Sequence, residues 1–194
     1  MKVLVSLILL VCFSFWVPAI GQKAESDVCN LTPETAPEVR GIKLGMPLKK
    51  LLEAIGIEES SAHFHPDKET NSGTVSFGSF DFRGNEGLKG ISRIEVELVD
   101  EKVTMLQIRY DNSVSWPSID EFASKVATSL NIPNVWSKGR LDSVHERVIH
   151  CRDLEIKAFF LGGPHLEMTD QRAKGIILER KKAAEEKKRQ QFKP

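Results

Sequence analysis

The chain has 194 residues, and its 27 Lys and Arg residues balance 27 Asp and Glu residues, so its formal net charge is zero. The balance conceals an asymmetry, because residues 22–170 carry 17 basic and 24 acidic side chains, a net charge of −7. Residues 171–194 carry 9 basic and 3 acidic side chains, a net charge of +6. This length suffices for one domain with a real core, or for two small repeats sharing one. No motif gives a catalytic, cofactor or nucleic-acid signature.

The N-terminus has the order of a secretory signal peptide. Lys2 precedes an apolar run over residues 3–20, and small side chains flank Ile20. We predict that residues 1–21 are removed after Gly21 and that the protein is secreted or periplasmic. An uncleaved anchor is disfavoured because Pro18 weakens the apolar run, and a lipoprotein signal acylated at Cys12 is disfavoured because Val11 stands where a small residue is needed.

Cleavage would leave two cysteines, Cys29 and Cys151. An even pair in an exported chain is most simply a disulfide, which here would close a long loop. Two unpaired thiols are the alternative, because sequence alone cannot show proximity.

Residues 22–39 read as an irregular lead-in, and regular structure is predicted from residue 40 onward. Pro47 begins an amphipathic helix that Gly56 ends. A long polar connection over residues 58–72 follows. Three strands are predicted next, at residues 74–83 with a bulge at Gly78, and at 88–99 and 102–110.

The same order then returns. Ser118 and Glu121 form a capping box, and the helix that they open carries Phe122, Val126 and Leu130 at helical spacing. Strands are predicted at 144–151, 154–161 and 165–169. The fold class is therefore α+β, a tandem domain over 40–170 built from two helix-β-β-β units, about 40–111 and 116–170. Their strands are expected to form antiparallel sheet with helices on one face.

The motif GIKLGMP at residues 41–47, followed by an amphipathic helix and a short-turn meander, resembles small exported modules of the β-lactamase-inhibitor-like fold. This group includes the SmpA/OmlA envelope proteins. The resemblance implies helices packed on one face of an antiparallel sheet, sometimes in tandem, and an open face that grips a protein partner.

Residues 171–194 form a tail predicted to be a charged helix, with Asp170 as its cap. The tail could contact anionic lipid or nucleic acid, dock onto the acidic body, or extend into solvent. We predict that it projects from the domain as a solvated helix. Export argues against a nucleic-acid partner, and the tail has no apolar stripe for membrane insertion.

The most metal-like cluster is His63, His65 and Asp67, whose two imidazoles and carboxylate could supply three ligands to a divalent cation. No further ligand is indicated nearby, so solvated side chains are the favoured interpretation and no cofactor is expected. A metal-dependent hydrolase using His63 and His65 is the alternative function. A structural envelope component is a further alternative.

The function favoured by the sequence is a non-enzymatic binding or inhibitory module that acts on a protein in the periplasm or outside the cell. The sheet face opposite the helices is expected to carry Arg93, Glu95, Arg109, Lys157 and Phe159, and an ordinary solvated face is the alternative. Trp136 lies among polar residues and would be a partner anchor if exposed. No stable membrane span is expected after cleavage.

Overall fold

The computed structural model describes residues 29–59, 62, 64–139 and 145–192. The predicted signal peptide, its cleavage site and His63 lie outside these residues. Within them there are three α-helices and eight strands, a mixed architecture of the α+β kind. The helices are α1 (Leu48–Ile55), α2 (Ile119–Leu130) and α3 (Gln171–Gln191). The strands are β1 (Phe64–Asp67), β2 (Ser72–Gly78), β3 (Ile91–Val99), β4 (Lys102–Tyr110), β5 (Ser137–Lys138), β6 (Glu146–His150), β7 (Leu154–Phe160) and β8 (Pro164–Asp170).

The eight strands form one antiparallel sheet in the order β1-β2-β3-β4-β8-β7-β6-β5. Two meanders therefore meet at the centre of the sheet, where β4 pairs with β8 from Met105 opposite Thr169 to Arg109 opposite His165. The prediction of two units with three strands each is not confirmed, since four strands follow α1 and four follow α2. The additional strands are β1 and the two-residue β5, both at the sheet edges.

Strand β1 corrects the predicted long connection over residues 58–72. The strand contains Pro66, which an edge strand tolerates because one side of its backbone needs no hydrogen-bonded neighbour. The ring of Phe64 lies over Gly73 of β2, where a Cβ atom would stand only 2.5 Å from the ring. An aromatic side chain thus covers a glycine on the neighbouring strand, which helps to hold a short polar strand in register.

Gly78 does not form the predicted bulge. It ends β2, and its amide donates to the Asp81 carboxylate at 2.7 Å. The apolar side chains change parity after this point because the chain has left the sheet for a turn. Phe80 is exposed there, whereas Phe82 is buried in the core.

The predicted boundaries of α1 and α2 are confirmed, and both helices end at residues in the left-handed region. Gly56 caps α1 with φ of 83°, and Asn131 caps α2 with φ of 53°. At the start of α2 the Ser118 hydroxyl accepts from the amide of Glu121 at 3.2 Å. These caps satisfy backbone groups that lack partners inside each helix.

The core lies between the two short helices and one face of the sheet. It contains Leu51, Leu52 and Ile55 of α1, together with Phe122, Ala123 and Val126 of α2. Strand residues of one parity supply the opposing layer, namely Val75, Phe77, Ile94, Val96, Leu106, Ile108, Ile149, Ile156, Ala158, Leu166 and Met168. One continuous apolar layer therefore joins both halves of the sheet.

Cys29 and Cys151 form the expected disulfide. Their backbones also form an isolated parallel bridge, and Cys29 belongs to the buried core. The bond joins the start of the described chain to the end of β6, across a separation of 122 residues. On the chain-entropy model, closing a loop of this length stabilises the fold by about 4 to 5 kcal/mol.

Helix α3 does not project from the domain as predicted. Arg180 contacts Asp100 through two hydrogen bonds of 2.9 Å and donates to the carbonyl of Thr70 at 2.8 Å. Nearer its start, Arg172 pairs with Glu34, and nearer its end Lys188 pairs with Glu69 at 2.5 Å. The basic helix thus lies along acidic groups of the body. This arrangement matches the alternative in which the tail docks onto the domain.

No helix in the described part of the chain is both long and apolar enough to cross a bilayer.

Candidate functional site

The face of the sheet that points away from α1 and α2 is polar, and its side chains stand in two rows across the central strands. In the first row Arg93 of β3 lies opposite Arg109 of β4, which lies opposite His165 of β8, which lies opposite Phe159 of β7. Because side chains alternate along a strand, all four point to the same side. Their sequence neighbours Ile94, Ile108, Leu166 and Ala158 are buried on the other side.

The second row lies one pleat further along the same four strands. It consists of Glu95, Gln107, Glu167 and Lys157, in that order from β3 to β7. These two rows define what we call the open face, with Glu155 beside them on β7. The register thus brings together five of the residues predicted for this surface, Arg93, Glu95, Arg109, Lys157 and Phe159.

The middle of the open face holds an ion-pair network around Lys157. The ammonium lies 2.9 Å from Glu155 Oε1 and 3.3 Å from Glu167 Oε1, and all three side chains are at most one-quarter exposed. Burial opposes the charge of Glu155, but the hydrogen bond and charge of Lys157 outweigh it and lower the pKa of the carboxyl group. The same contacts, working against burial, raise the pKa of Lys157. Both shifts favour the charged forms of Glu155 and Lys157.

The end of the open face concentrates positive charge. Arg93 and Arg109 are direct cross-strand neighbours, an arrangement that costs free energy unless other groups offset it. Arg93 is offset by Glu95 at 2.7 Å and by the Ser76 hydroxyl. Arg109 instead donates to the carbonyl of Gly162 in the β7–β8 turn. No carboxylate in the described residues forms an ion pair with Arg109.

The turn that receives Arg109 favours glycine at its second residue, Gly162. Gly162 has φ of 67°, and a Cβ atom there would stand 2.9 Å from Nη2 of Arg109. A larger residue would be strained by its backbone and would displace the guanidinium. The turn therefore fixes the direction of a charged side chain on the open face.

His165 is the most deeply buried polar residue of the open face, at 4% exposure. Its ring stacks on Phe159 with centroids 4.7 Å apart and planes 10° from parallel. Its Nδ1 lies 2.9 Å from the carbonyl of Gly163, and since a carbonyl only accepts, Nδ1 carries the proton. Burial lowers the pKa of the imidazole, and the charge of Arg109 lowers it further. At neutral pH the ring is neutral and Nε2 is an acceptor.

A small cavity of about 70 Å³ lies between the side chains at this end of the face. It is lined by Arg93, Glu95, Gln107, Arg109 and His165. The lining provides two guanidinium groups and an amide as donors, which is a suitable environment for a carboxylate oxygen from another molecule. Donor groups at defined positions are thus present on this surface, beside the carboxylate of Glu95.

The other sequence-predicted residues are not part of this face. Trp136 is half-buried and packs against the core, and within the described part of the chain its buried indole nitrogen has no hydrogen-bond partner. His65 and Asp67 lie on the edge strand β1, and the side chain of Thr70 lowers the pKa of Asp67 by hydrogen bonding. Among the described residues no three His, Cys, Asp or Glu side chains are grouped so as to hold a metal ion.

Gln107, Glu155, Glu167 and His165 are members or neighbours of the open face that sequence reasoning did not assign to it. A signal was available for Gln107 and Glu167, because each is a polar residue between two apolar ones on a predicted strand. Their proximity was not predictable, since it depends on the pairing of β4 with β8.

Comparison with known proteins does not identify a family. No family model matches the sequence, and no curated protein matches it. Among solved structures it is similar to a cysteine-rich secretory protein from Staphylococcus aureus, with 12% sequence identity and a TM-score of 0.39. That match covers 75% of this chain and 50% of the other, so the chain spans half the length of that structure.

Proposed function

We propose that this protein is an exported, non-enzymatic binding module that holds a protein partner on the open face of its sheet. The carrying observation is the asymmetry of the sheet, whose helix-covered face is apolar and whose other face is an ordered array of charged, polar and aromatic side chains. Ordered side chains lose less conformational freedom on association than mobile ones, which favours their use as a contact surface.

The charges of the open face indicate the chemistry of the partner. Lys157 is already neutralised by two carboxylates of its own chain, so it is not available as a strong anion-binding group. At the end of the face Arg93 pairs with Glu95, whereas Arg109 forms no ion pair among the described residues. We therefore expect the partner to present an acidic side chain at this end and an apolar contact near Phe159.

Export to an oxidising compartment, periplasmic or extracellular, is the second part of the proposal. The disulfide between Cys29 and Cys151 supports it, because such bonds persist in oxidising compartments and are rare where thiols are kept reduced. The N-terminal apolar run is the sequence feature that would direct the export.

The proposal is tested by position-specific crosslinking in the native cells. A photoactivatable residue replaces Gln107 on the open face, and a control variant carries the same residue at Thr128, an exposed position on α2. We expect one dominant protein adduct from the Gln107 position and none from Thr128. Equal adducts from both positions, or none from either, would remove the open face as the binding surface.

A further inference from the structure

A cavity lies on the side of the sheet opposite the open face. Its volume is about 660 Å³, within the range of about 300–1,000 Å³ typical of small-molecule sites. The cavity is formed where the end of β4, helix α2, the loop after β4 and the segment before α1 come together. The end of β4, the loop after it and α2 follow one another in the chain, but the segment before α1 lies much earlier in the sequence, so the cavity is a product of the fold and not of any local motif.

Aromatic rings make up the wall of the cavity. Tyr110 and Trp116 each meet Phe122 edge to face, with ring centroids 5.9 Å and 5.3 Å apart. Leu166 and Val126 are buried beneath them, while Tyr110 and Trp116 remain half-exposed. Burial raises the pKa of the Tyr110 hydroxyl, so it is neutral at physiological pH. The interior of the cavity is therefore uncharged and suited to an apolar group.

The rim carries more positive than negative charge. Arg40, Lys89 and Lys125 line it together with Glu38 and Asp111. The Asp111 carboxylate accepts from the amide and the hydroxyl of Ser113 and keeps its charge, so three cationic groups face two carboxylates at the rim. Within the described residues Arg40, Lys125 and Glu38 form no ion pair, so the unpaired charges beside the apolar cavity are two cations and one carboxylate.

Arg40 is also held in an unusual backbone conformation. It occupies the first central position of a two-residue turn closed by hydrogen bonds between Val39 and Ile42, with φ of 55°. Turns of this kind favour Asn, Asp or Gly at that position, and non-glycine residues in the left-handed region are concentrated at functional sites. The turn places the unpaired guanidinium at the mouth of the cavity.

We propose that this cavity is a second site, which binds a small amphipathic carboxylate. The apolar part of the ligand packs on Tyr110, Trp116 and Phe122, and its carboxylate is held by Arg40 and Lys125. This site is independent of the open face, because its lining residues belong to the helix-covered side of the sheet.

The first test is calorimetric titration of the purified protein with sodium decanoate and, as a charge-reversed comparison of the same chain length, decyltrimethylammonium bromide. We expect saturable binding of one decanoate per chain, and binding of the cation weaker by about tenfold or more, since the rim charges attract one head group and repel the other. Absence of saturable decanoate binding, or equal affinity for both amphiphiles, would overturn the proposal.

The second test uses Arg40→Asn, which removes the charge and provides a residue that accepts the left-handed conformation. We expect the thermal midpoint to be retained and decanoate affinity to fall by about fivefold, the effect of one solvent-exposed charge. Arg152→Asn, at an exposed arginine that does not line the cavity, is the matched control and should bind like the parent. Unchanged affinity in Arg40→Asn would contradict the assignment.

Fluorescence locates the bound ligand. Decanoate should change the tryptophan emission of the parent and of Trp136→Phe, and the change should be absent in Trp116→Phe. The reverse pattern would place the ligand elsewhere and overturn the assignment of the site.

Discussion

The two faces of the sheet take opposite roles although the same strands form them. On β4, Leu106 and Ile108 are buried to 1% exposure or less, while Gln107 between them is half-buried on the open face. One face gains its stability from apolar burial, which is nondirectional and large. The other holds its side chains through directional ion pairs and hydrogen bonds that contribute less. Stability and recognition can therefore be altered separately.

Of the substitutions that test the difference between the two faces, a change in the core should have the largest effect on stability. Ile108→Ala removes a fully buried side chain and leaves a cavity, so we expect the free energy of unfolding to fall by about 3 kcal/mol. Gln107→Ala, on the adjacent residue of the open face, should change it by about 0.5 kcal/mol or less. Urea unfolding of both variants makes the comparison. Equal losses would show that the two faces contribute alike.

Removing the cation at the centre of the open face should have an intermediate effect. Lys157→Met leaves Glu155 and Glu167 close together without their shared partner, and we expect a loss of about 1 to 2 kcal/mol at pH 7. Lys43→Met, at an exposed lysine without an ion pair in the described residues, is the control and should be neutral. A neutral Lys157→Met would mean that the network is not ordered in solution.

The ion-pair network around Lys157 also predicts how the unfolding free energy changes with pH in the acid range. The pKa of Glu155 is lower in the folded protein than in the unfolded chain, so its contribution is present above the unfolded value and is lost as pH falls through the folded value. In Lys157→Met the lowering is removed, and we expect a shallower fall in unfolding free energy below about pH 4.3. If the unfolding free energy from urea titrations falls with acid as steeply in Lys157→Met as in the parent, the result would argue against this role of Glu155.

A smaller effect is expected from His165 in a separate pH range. Its folded pKa is lowered, so the unfolded chain binds the proton more readily and unfolding free energy decreases as pH drops below about 6.5. His165→Phe keeps a ring against Phe159 and should flatten the dependence between about pH 6.5 and pH 5. Retention of the parent slope in this range would assign it to another group.

The smallest effect on stability should come from breaking a contact between α3 and the domain. Arg172 forms a hydrogen bond that lowers the pKa of Glu34 to about 2, and Arg180 similarly lowers the pKa of Asp100, but these groups face solvent. Arg180→Ala should reduce the thermal midpoint slightly at low salt and not at high salt, because exposed ion pairs are screened. A reduction that is independent of salt would indicate a packing role for the helix.

Local features of the fold were predictable from the sequence, and long-range ones were not. The limits of α2 and β4 follow from Ser118, from the helical spacing of Phe122 and Val126, and from alternation in residues 102–110. Strand β1 was missed because its polar residues and Pro66 have no alternating apolar pattern, and its pairing depends on the contact of Phe64 with Gly73.

In the candidate site, too, local features were predictable from the sequence and long-range contacts were not. Alternation on β3 and β7 was sufficient to place Arg93 and Lys157 on one face. The contact between Arg109 and the Gly162 turn requires the pairing of β4 with β8, which joins residues that are about 60 positions apart in sequence. The docking of Arg180 on Asp100 likewise joins residues 80 positions apart, so charge counts alone did not predict it.

The central claim, that the open face binds the protein partner, is tested most directly by the affinity of the crosslinked partner for two variants of equal charge change. Arg93→Glu with Arg109→Glu reverses the charge at the end of the open face, and Lys187→Glu with Arg189→Glu makes the same change on α3. We predict that the first variant loses about tenfold or more in affinity, since repulsion replaces attraction at the contact, and that the second binds like the parent. Equal affinity of the two variants would contradict the account.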